Sequence, residues 1–276
     1  MDWKTKLLIR RIISLVILSI FGLLAFIPLY WMVITAIKPA TLTLQFPPEL
    51  FPRNPTLQNF KDVFQRPMLF RWTFNSLFVA GAVTTLQLLL CSMAGYSLAK
   101  KKFPLGKLLF SIYIASMMIP RQVTLVPLYI LVSKFSMIDT YWGLILPGVA
   151  APFGVFLMRQ FMVSIPSEII EASRIDGASE WGTYFRIILP ISKPALAVLG
   201  IFTFVGEWNN FLWPLIVTNT SKMKTLQAGL ALLQEEVPMQ HAFLMAGATY
   251  AAIPMIIIFF AFSRYFLKGV TVGAIK

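Results

Sequence analysis

A chain of 276 residues with 58% hydrophobic side chains, 13% charged ones and a mean hydropathy of +0.75 is too apolar for a soluble domain built around one core. Its formal charge of +13 falls in the loops between apolar stretches, as a basic rim beside anionic lipid would, so no nucleic-acid partner is needed to explain it. One cysteine and one histidine exclude both an internal disulfide and a Cys/His metal cluster, and no metal or cofactor is expected.

A helix needs about 20 apolar residues to cross a hydrocarbon core of about 30 Å. In chain order, residues 12–37, 72–99, 108–133, 140–158, 194–217 and 242–263 meet that length, the third and fifth interrupted once each by Arg121 and Glu207. Six spans are predicted. Lys4, Lys6, Arg10 and Arg11 precede the first, whose apolar run is too long for a signal peptide and is followed by no small-residue cleavage site. With the N-terminus inside, fifteen Lys and Arg residues fall on the cytoplasmic side and eight outside, five of these in the Pro-rich segment 38–71. Both termini are therefore predicted to be cytoplasmic. Cys91, inside the second span, reads as helix packing.

Between the fourth and fifth spans the stretch "EIIEASRIDGASEWGTYFRIILP", residues 168–190, holds four acidic and two basic side chains. Ser167 is placed to cap a short helix with Glu168 and Glu171 in its first turn, where carboxylates favour the positive end of the dipole. Asp176 and Gly177 end it, since glycine takes the left-handed conformation at little strain. Ser179 caps a second helix that runs to Leu189, before Pro190. Ile169, Ala172 and Ser173 form a small apolar face on the first helix, while Glu168, Glu171 and Arg174 stay polar. Such a helix is marginal in water unless it packs on something. The residues alone leave two partners open: lipid headgroups, or a groove on another protein.

"EASRIDGASEWGTYFRIILP" resembles the EAA motif of ATP-binding-cassette importer permeases: Glu-Ala-Ala, three residues, Gly, nine residues, Ile, one residue, Leu-Pro. Glu171, Ala172, Gly177, Ile187, Leu189 and Pro190 match in register, Asp176 and Ala178 extend the match, and Ser173 departs from it, small for small. "PLYILVSKFSMIDTYWGLILP", "FLMRQFMVSIPSEI", "EWNNFLWPLIV" and "GVTVGAIK" are similar to the carbohydrate branch of that family. The resemblance implies an all-α polytopic membrane protein with six transmembrane helices and a type I permease fold. Its parts would be an N-terminal portion 1–71, a permease domain 72–263 with a cytoplasmic coupling loop 159–193, and a tail 264–276. Its setting would be a bacterial or archaeal plasma membrane.

The resemblance further implies a subunit with no catalytic residues, and no Gly-x-x-x-x-Gly-Lys-Ser/Thr phosphate loop is present. Two copies of a separate ATPase, a second related permease and an extracytoplasmic sugar-binding protein are the implied partners. The segments 38–71 and 218–241 are the outer surfaces available to that binding protein. The substrate would be a mono- or oligosaccharide, with glycerol-phosphate as an alternative in the same branch. The tail "KGVTVGAIK" is expected to tune coupling to the ATPase.

Glu207, Trp208, Asn209 and Asn210 put a carboxylate, two amides and an indole halfway along a span, the groups that bind hydroxyls and stack on sugar rings. Interhelical hydrogen bonding is the structural alternative. Arg121 stands between Pro120 and Pro127, expected to break the helix on both sides, with snorkelling to outer headgroups as its simplest role. His241 reads as an exposed loop residue. An ion-driven carrier would show paired repeats and several membrane carboxylates, and only Glu207 is found; an assembly subunit with no path of its own is the third reading.

Overall fold

The computed structural model describes residues 3–39, 49–236 and 240–272, and side chains only as far as residue 262 in the last helix. Among the described residues there are helices and connections and no strand. They fall into two compact units, Met1–Pro67 with Leu230–Ile253, and Met68–Gly229 with Pro254–Lys276.

In the first unit, helix α1 (Trp3–Ala36) carries an apolar stretch, Leu7–Ala36, that is exposed along most of its length and becomes buried only at its end, at Thr35 and Ala36. Its end is tied down by a polar knot. The Nδ2 of Asn59, on helix α2 (Gln58–Phe64), donates to the carbonyls of Ala36 and Lys38 at 2.8 Å each, and Lys38 Nζ donates to the Glu49 carbonyl at 2.6 Å. Buried backbone acceptors are thus satisfied where α1 stops.

The second unit opens with α3 (Leu69–Lys100). It continues through α4 (Gly106–Ser116), α5 (Arg121–Lys134), α6 (Tyr141–Val149), α7 (Pro152–Val163) and α8 (Ser167–Ile175). Next come α9 (Glu180–Thr183), a π-helical turn (Tyr184–Ile188), α10 (Leu189–Ile191), α11 (Lys193–Trp208) and α12 (Leu212–Val217). Two helices, α13 (Leu226–Glu236) and α14 (His241–Val272), have residues in both units.

Three helical segments, Leu7–Ala36, Leu69–Lys100 and His241–Phe262, are each long and apolar enough to cross a membrane. Among the described residues three bent pairs pass the same test, α4 with α5 (104°), α6 with α7 (41°), and Glu180–Ile191 with α11 (76°), giving up to six spans where each pair counts as one. Prolines account for the first two bends. Pro120 sits extended (φ −60°, ψ 133°) immediately before α5, and Pro152 occupies the first turn of α7, where its missing N–H is no loss. Pro127 does not break the chain a second time as expected; it lies inside α5. A membrane helix tolerates one such missing hydrogen bond when neighbouring groups compensate. His241, expected in a loop, is the half-buried first residue of α14.

Helix α3 is the packing centre of this unit, in contact with α6, α7 and α11. Toward the loop 159–193, Cys91, Tyr96, Met158, Met162, Ile170, Tyr184, Ile188 and Leu199 share one buried cluster. At the other end Val79, Val83, Val132, Leu144, Trp213 and Val217 share another. Cys91 is 2% exposed, with its Sγ 3.7 Å from the Ala151 carbonyl, which is the packing role expected of it. Between the clusters, Gln87 Nε2 donates to the Gly148 carbonyl at 2.6 Å and Thr203 Oγ1 donates to Gln87 Oε1 at 2.7 Å, so α3, α6 and α11 share a buried polar node.

The connection after α12 is latched beside α5 and α3. Asp139, at φ +59°, accepts from the Asn219 and Thr220 amides and the Thr220 hydroxyl, and Asn75 Nδ2 donates to the Lys222 and Lys224 carbonyls. Burial opposes ionisation of Asp139, but these donors and nearby Lys224 outweigh it and hold the carboxyl below the ordinary aspartate value.

Candidate functional site

Two places concentrate polar groups in the second unit, the loop 159–193 and a cavity. In the loop, α8 ends as its sequence predicts. Gly177 stands at φ +78°, its N–H donates to the Arg174 carbonyl at 3.0 Å, and the Ala178 N–H donates to the Ser173 carbonyl at 2.9 Å. This is a Schellman motif, with both orphan carbonyls satisfied. Ser179 Oγ accepts from Gly182 N at 3.1 Å, as expected of a cap. The start differs. Pro166 occupies the cap position and Ser167 is the first helical residue, with no side-chain cap bond. Proline at 166 sets the extended entry and leaves a serine cap unnecessary.

The inward face of α8 also differs from expectation. Ile170 and Ser173 are buried and Ile169 is half-buried, whereas Ala172 is exposed. The i, i+3 spacing of 170 and 173 makes them one stripe. Ser173 Oγ donates to the Ile170 carbonyl and shares a 2.9 Å hydrogen bond with Thr183 Oγ1, joining the arms on either side of Gly177. The position at which the motif departs from alanine therefore does polar work that alanine could not.

Glu171, Ala172, Arg174, Ile175, Asp176 and Gly177 all face outward, and Ile175 is 87% exposed. Beyond the bend, Ala178 is half-buried. Glu180 accepts from Arg174 Nη2 at 2.8 Å and pairs with Lys101 from the end of α3. Ile187 and Leu189 are half-buried and Pro190 is exposed, on a helical run that continues through Pro190 to Ile191 because a π turn precedes it.

The cavity, about 470 Å³, lies among α5, α6, the start of α7 and the break between α11 and α12. Of the four residues proposed from sequence for a substrate path, it brings together Glu207 and Asn210, whose Nδ2 donates to Glu207 Oε2 at 3.1 Å. The other two lie off its lining: Trp208 is 1% exposed, and Asn209 returns its Nδ2 to the Val205 carbonyl at 3.0 Å. The indole on the lining is that of Trp213, whose Nε1 donates to the Gly143 carbonyl at 3.0 Å. Arg121, weighed separately in the sequence, lines the same cavity with Gln122 and Thr124. Helical periodicity could not unite Arg121 with Glu207, because each stands at a break. Among the described residues no group of His, Cys, Asp or Glu is arranged to hold a metal.

Comparison with known proteins follows the same lines. Residues 90–272 match the family described as "Binding-protein-dependent transport system inner membrane component". The arabinooligosaccharides transport system permease protein AraQ of Halalkalibacterium halodurans is 37% identical over 93% of this chain and 94% of its own, and that of Bacillus subtilis is 34% identical over 97% and 96%. The sn-glycerol-3-phosphate transport system permease protein UgpE of Brucella abortus is 30% identical over 95% and 96%. Among solved structures, a chain of a bacterial ABC transporter that imports the acidic polysaccharide alginate superposes with a TM-score of 0.83, covering 96% of this chain and 99% of that one, at 20% identity. That agreement shows the fold. The chain is a membrane transport subunit rather than an enzyme, and it belongs to the family of binding-protein-dependent transport system inner membrane components.

Proposed function

We propose that this permease subunit serves an ATP-driven importer of a sugar, mono- or oligosaccharide, and that its loop 159–193 docks on a separate ATPase. The observation that carries the coupling role is α8 itself: its inner stripe is anchored by Ile170 and Ser173, while Glu171, Arg174 and the 87% exposed Ile175 are presented together on the outside. An apolar side chain between an arginine and an aspartate, on a helix this polar, suits a protein groove better than a lipid surface. Glu171→Lys reverses one charge on that outer face. It is expected to release the ATPase from purified complexes while the amount of inserted permease stays normal, and stoichiometric ATPase with normal uptake would dismiss the docking reading.

The remaining organisation follows from the same reading. One copy of six spans does not enclose a path, and the uncovered apolar length of α1 supports a second permease or lipid around it. Two ATPase copies and an extracytoplasmic binding protein complete the importer, with both termini cytoplasmic by the Lys and Arg distribution. The segments 38–71 and 218–241 are the docking surfaces for the binding protein, although residues 40–48 and 237–239 lie outside the described ones, as do residues 273–276 of the tail.

The cavity supports a hydroxyl-rich ligand: a carboxylate, a guanidinium, amides and one indole converge in about 470 Å³. AraQ relatives argue for an oligosaccharide and UgpE relatives keep glycerol-phosphate in play. Thermal-shift screening of the companion binding protein against a panel of both separates them. For the permease, Arg121→Ala and Glu207→Gln are each expected to lower uptake by about tenfold or less, the worth of one charge-assisted hydrogen bond. Vesicle uptake at matched protein levels measures this. Complete loss with ATPase stimulation intact would instead make both residues indispensable to the path.

A further inference from the structure

One element, α3, runs from the loop to the buried node beside the cavity, and its contacts form a chain of specific bonds. Tyr184, the first residue of the π turn, shares a buried 2.6 Å hydrogen bond with Ser92 on α3, and its ring lies 5.6 Å from that of Tyr96, one turn further along α3. Five residues before Ser92, roughly 7.5 Å along the helix, Gln87 makes its bond to the Gly148 carbonyl. Gly148 lines the cavity, where a Cβ built on it would stand 3.4 Å from Glu207 Oε1. At the other end of α3, Lys100 Nζ donates to the carbonyls of Val163 and Ile165, just before α8, and Lys101 pairs with Glu180, just after it.

We propose that α3 is the lever through which movement of α8 reaches the cavity, with Tyr184, Ser92 and Gln87 as its positioning residues and Lys101–Glu180 as an outer tie. The inference rests on the proposed docking of α8 to an ATPase and adds the route inward. Three physical points favour α3. It is continuous over 32 residues and has no proline, so displacement at one end is carried to the other rather than absorbed. The alternative route along the loop into α11 runs through a π turn and a 76° bend, where a register shift dissipates motion. The buried Tyr184–Ser92 bond has no water to replace it when broken, whereas the Lys101–Glu180 pair is solvated and individually weak. Tyr184 therefore ranks above Glu180.

Spatial order alone does not establish coupling, so the test measures coupling directly. Tyr184→Phe and Gln87→Leu, singly and together, are compared in reconstituted importers by ATP hydrolysed and sugar taken up in the same vesicles. Each single variant is expected to lower uptake per ATP by about fivefold, the effect of one net hydrogen bond, with the ATPase still bound. The double variant is expected to fall no further than the worse single one. A double loss equal to the product of the two overturns the lever, since the sites would then act independently. If either buried variant fails to assemble, the surface pair decides: Lys101→Glu and Glu180→Lys should each lower uptake per ATP, and their combination should restore it. Unchanged ratios in all of these, with ATPase bound, overturn the inference and leave the docking reading standing. Failure of the wild-type permease to retain any ATPase overturns both.

Discussion

Gly177→Val is expected to abolish coupled transport while leaving the six-span bundle intact. A Cβ at Gly177 would meet nothing within 4 Å, so steric clash with neighbours plays no part. The backbone decides. At φ +78° a β-branched residue carries strain of roughly 1 to 3 kcal/mol, enough to unwind the Schellman turn that holds the 177 and 178 amides on the 174 and 173 carbonyls. Without that turn, Ser173 and Thr183 no longer meet, and Glu180 loses its position between Lys101 and Arg174. The outer face of α8 would then present Glu171 and Ile175 in no fixed direction. Gly177→Asn is the discriminating control, because asparagine enters the left-handed region more readily than other side chains. It should retain most of the uptake and most of the co-purified ATPase. Equal loss in both variants would point to the missing hydrogen side chain rather than to φ, and normal uptake in Gly177→Val would remove the bend from the mechanism.

Features of this fold that depend on a few adjacent residues were legible in the sequence. Hydropathy located the three long apolar helices, a glycine after Asp176 located the left-handed stop, and Ser179 located a cap that the structure bears out. Features set by a distant partner were not. Pro166 displaced Ser167 from the cap because its ring already fixes φ at the helix entry, and Ala172 faces outward because Ile170 joins the buried cluster and Ser173 meets Thr183. The cavity shows the same division. Glu207 was visible as a charge inside a span with Asn210 beside it, but Arg121 was not visible as its neighbour, since Arg121 reaches the cavity from the break between α4 and α5, far away in the chain. Gln87 and Thr203 gave no signal: each is an uncharged polar residue within a span, and only their bonds to one another and to the Gly148 carbonyl distinguish them. The π turn at 184–188 likewise has no local signature beyond the proline that follows it.

The largest structural effect is expected from Gly95→Leu, where α3 packs directly on α7. A Cβ at Gly95 would stand 2.8 Å from the Met158 Cβ and 2.9 Å from the Arg159 backbone nitrogen, so no side-chain rotation on α7 can make room. One turn back on α3, Cys91 faces Gly154, where an added Cβ would lie 2.7 Å from its Sγ. Small residues on both helices thus permit an approach that dispersion rewards in a membrane, where no hydrophobic driving force holds helices together. Leucine at 95 must push the helices apart along this seam. Overpacking of this kind costs typically 1 to 3 kcal/mol, occasionally more, and separation would also strip contacts from fully buried Met158 and Met162 and stretch the 3.3 Å bond from Arg159 Nε to the Leu98 carbonyl. Gly81→Leu supplies the comparison on the same helix, since a Cβ there meets nothing within 4 Å. Thermal unfolding of the detergent-purified importer and its yield as a monodisperse species measure both variants. Gly95→Ala should melt below wild type, Gly95→Leu should give little folded protein, and Gly81→Leu should match wild type. Gly95→Leu as stable as Gly81→Leu would mean that α3 and α7 can part without loss, and the seam would then not be what holds the loop 159–193 to the bundle.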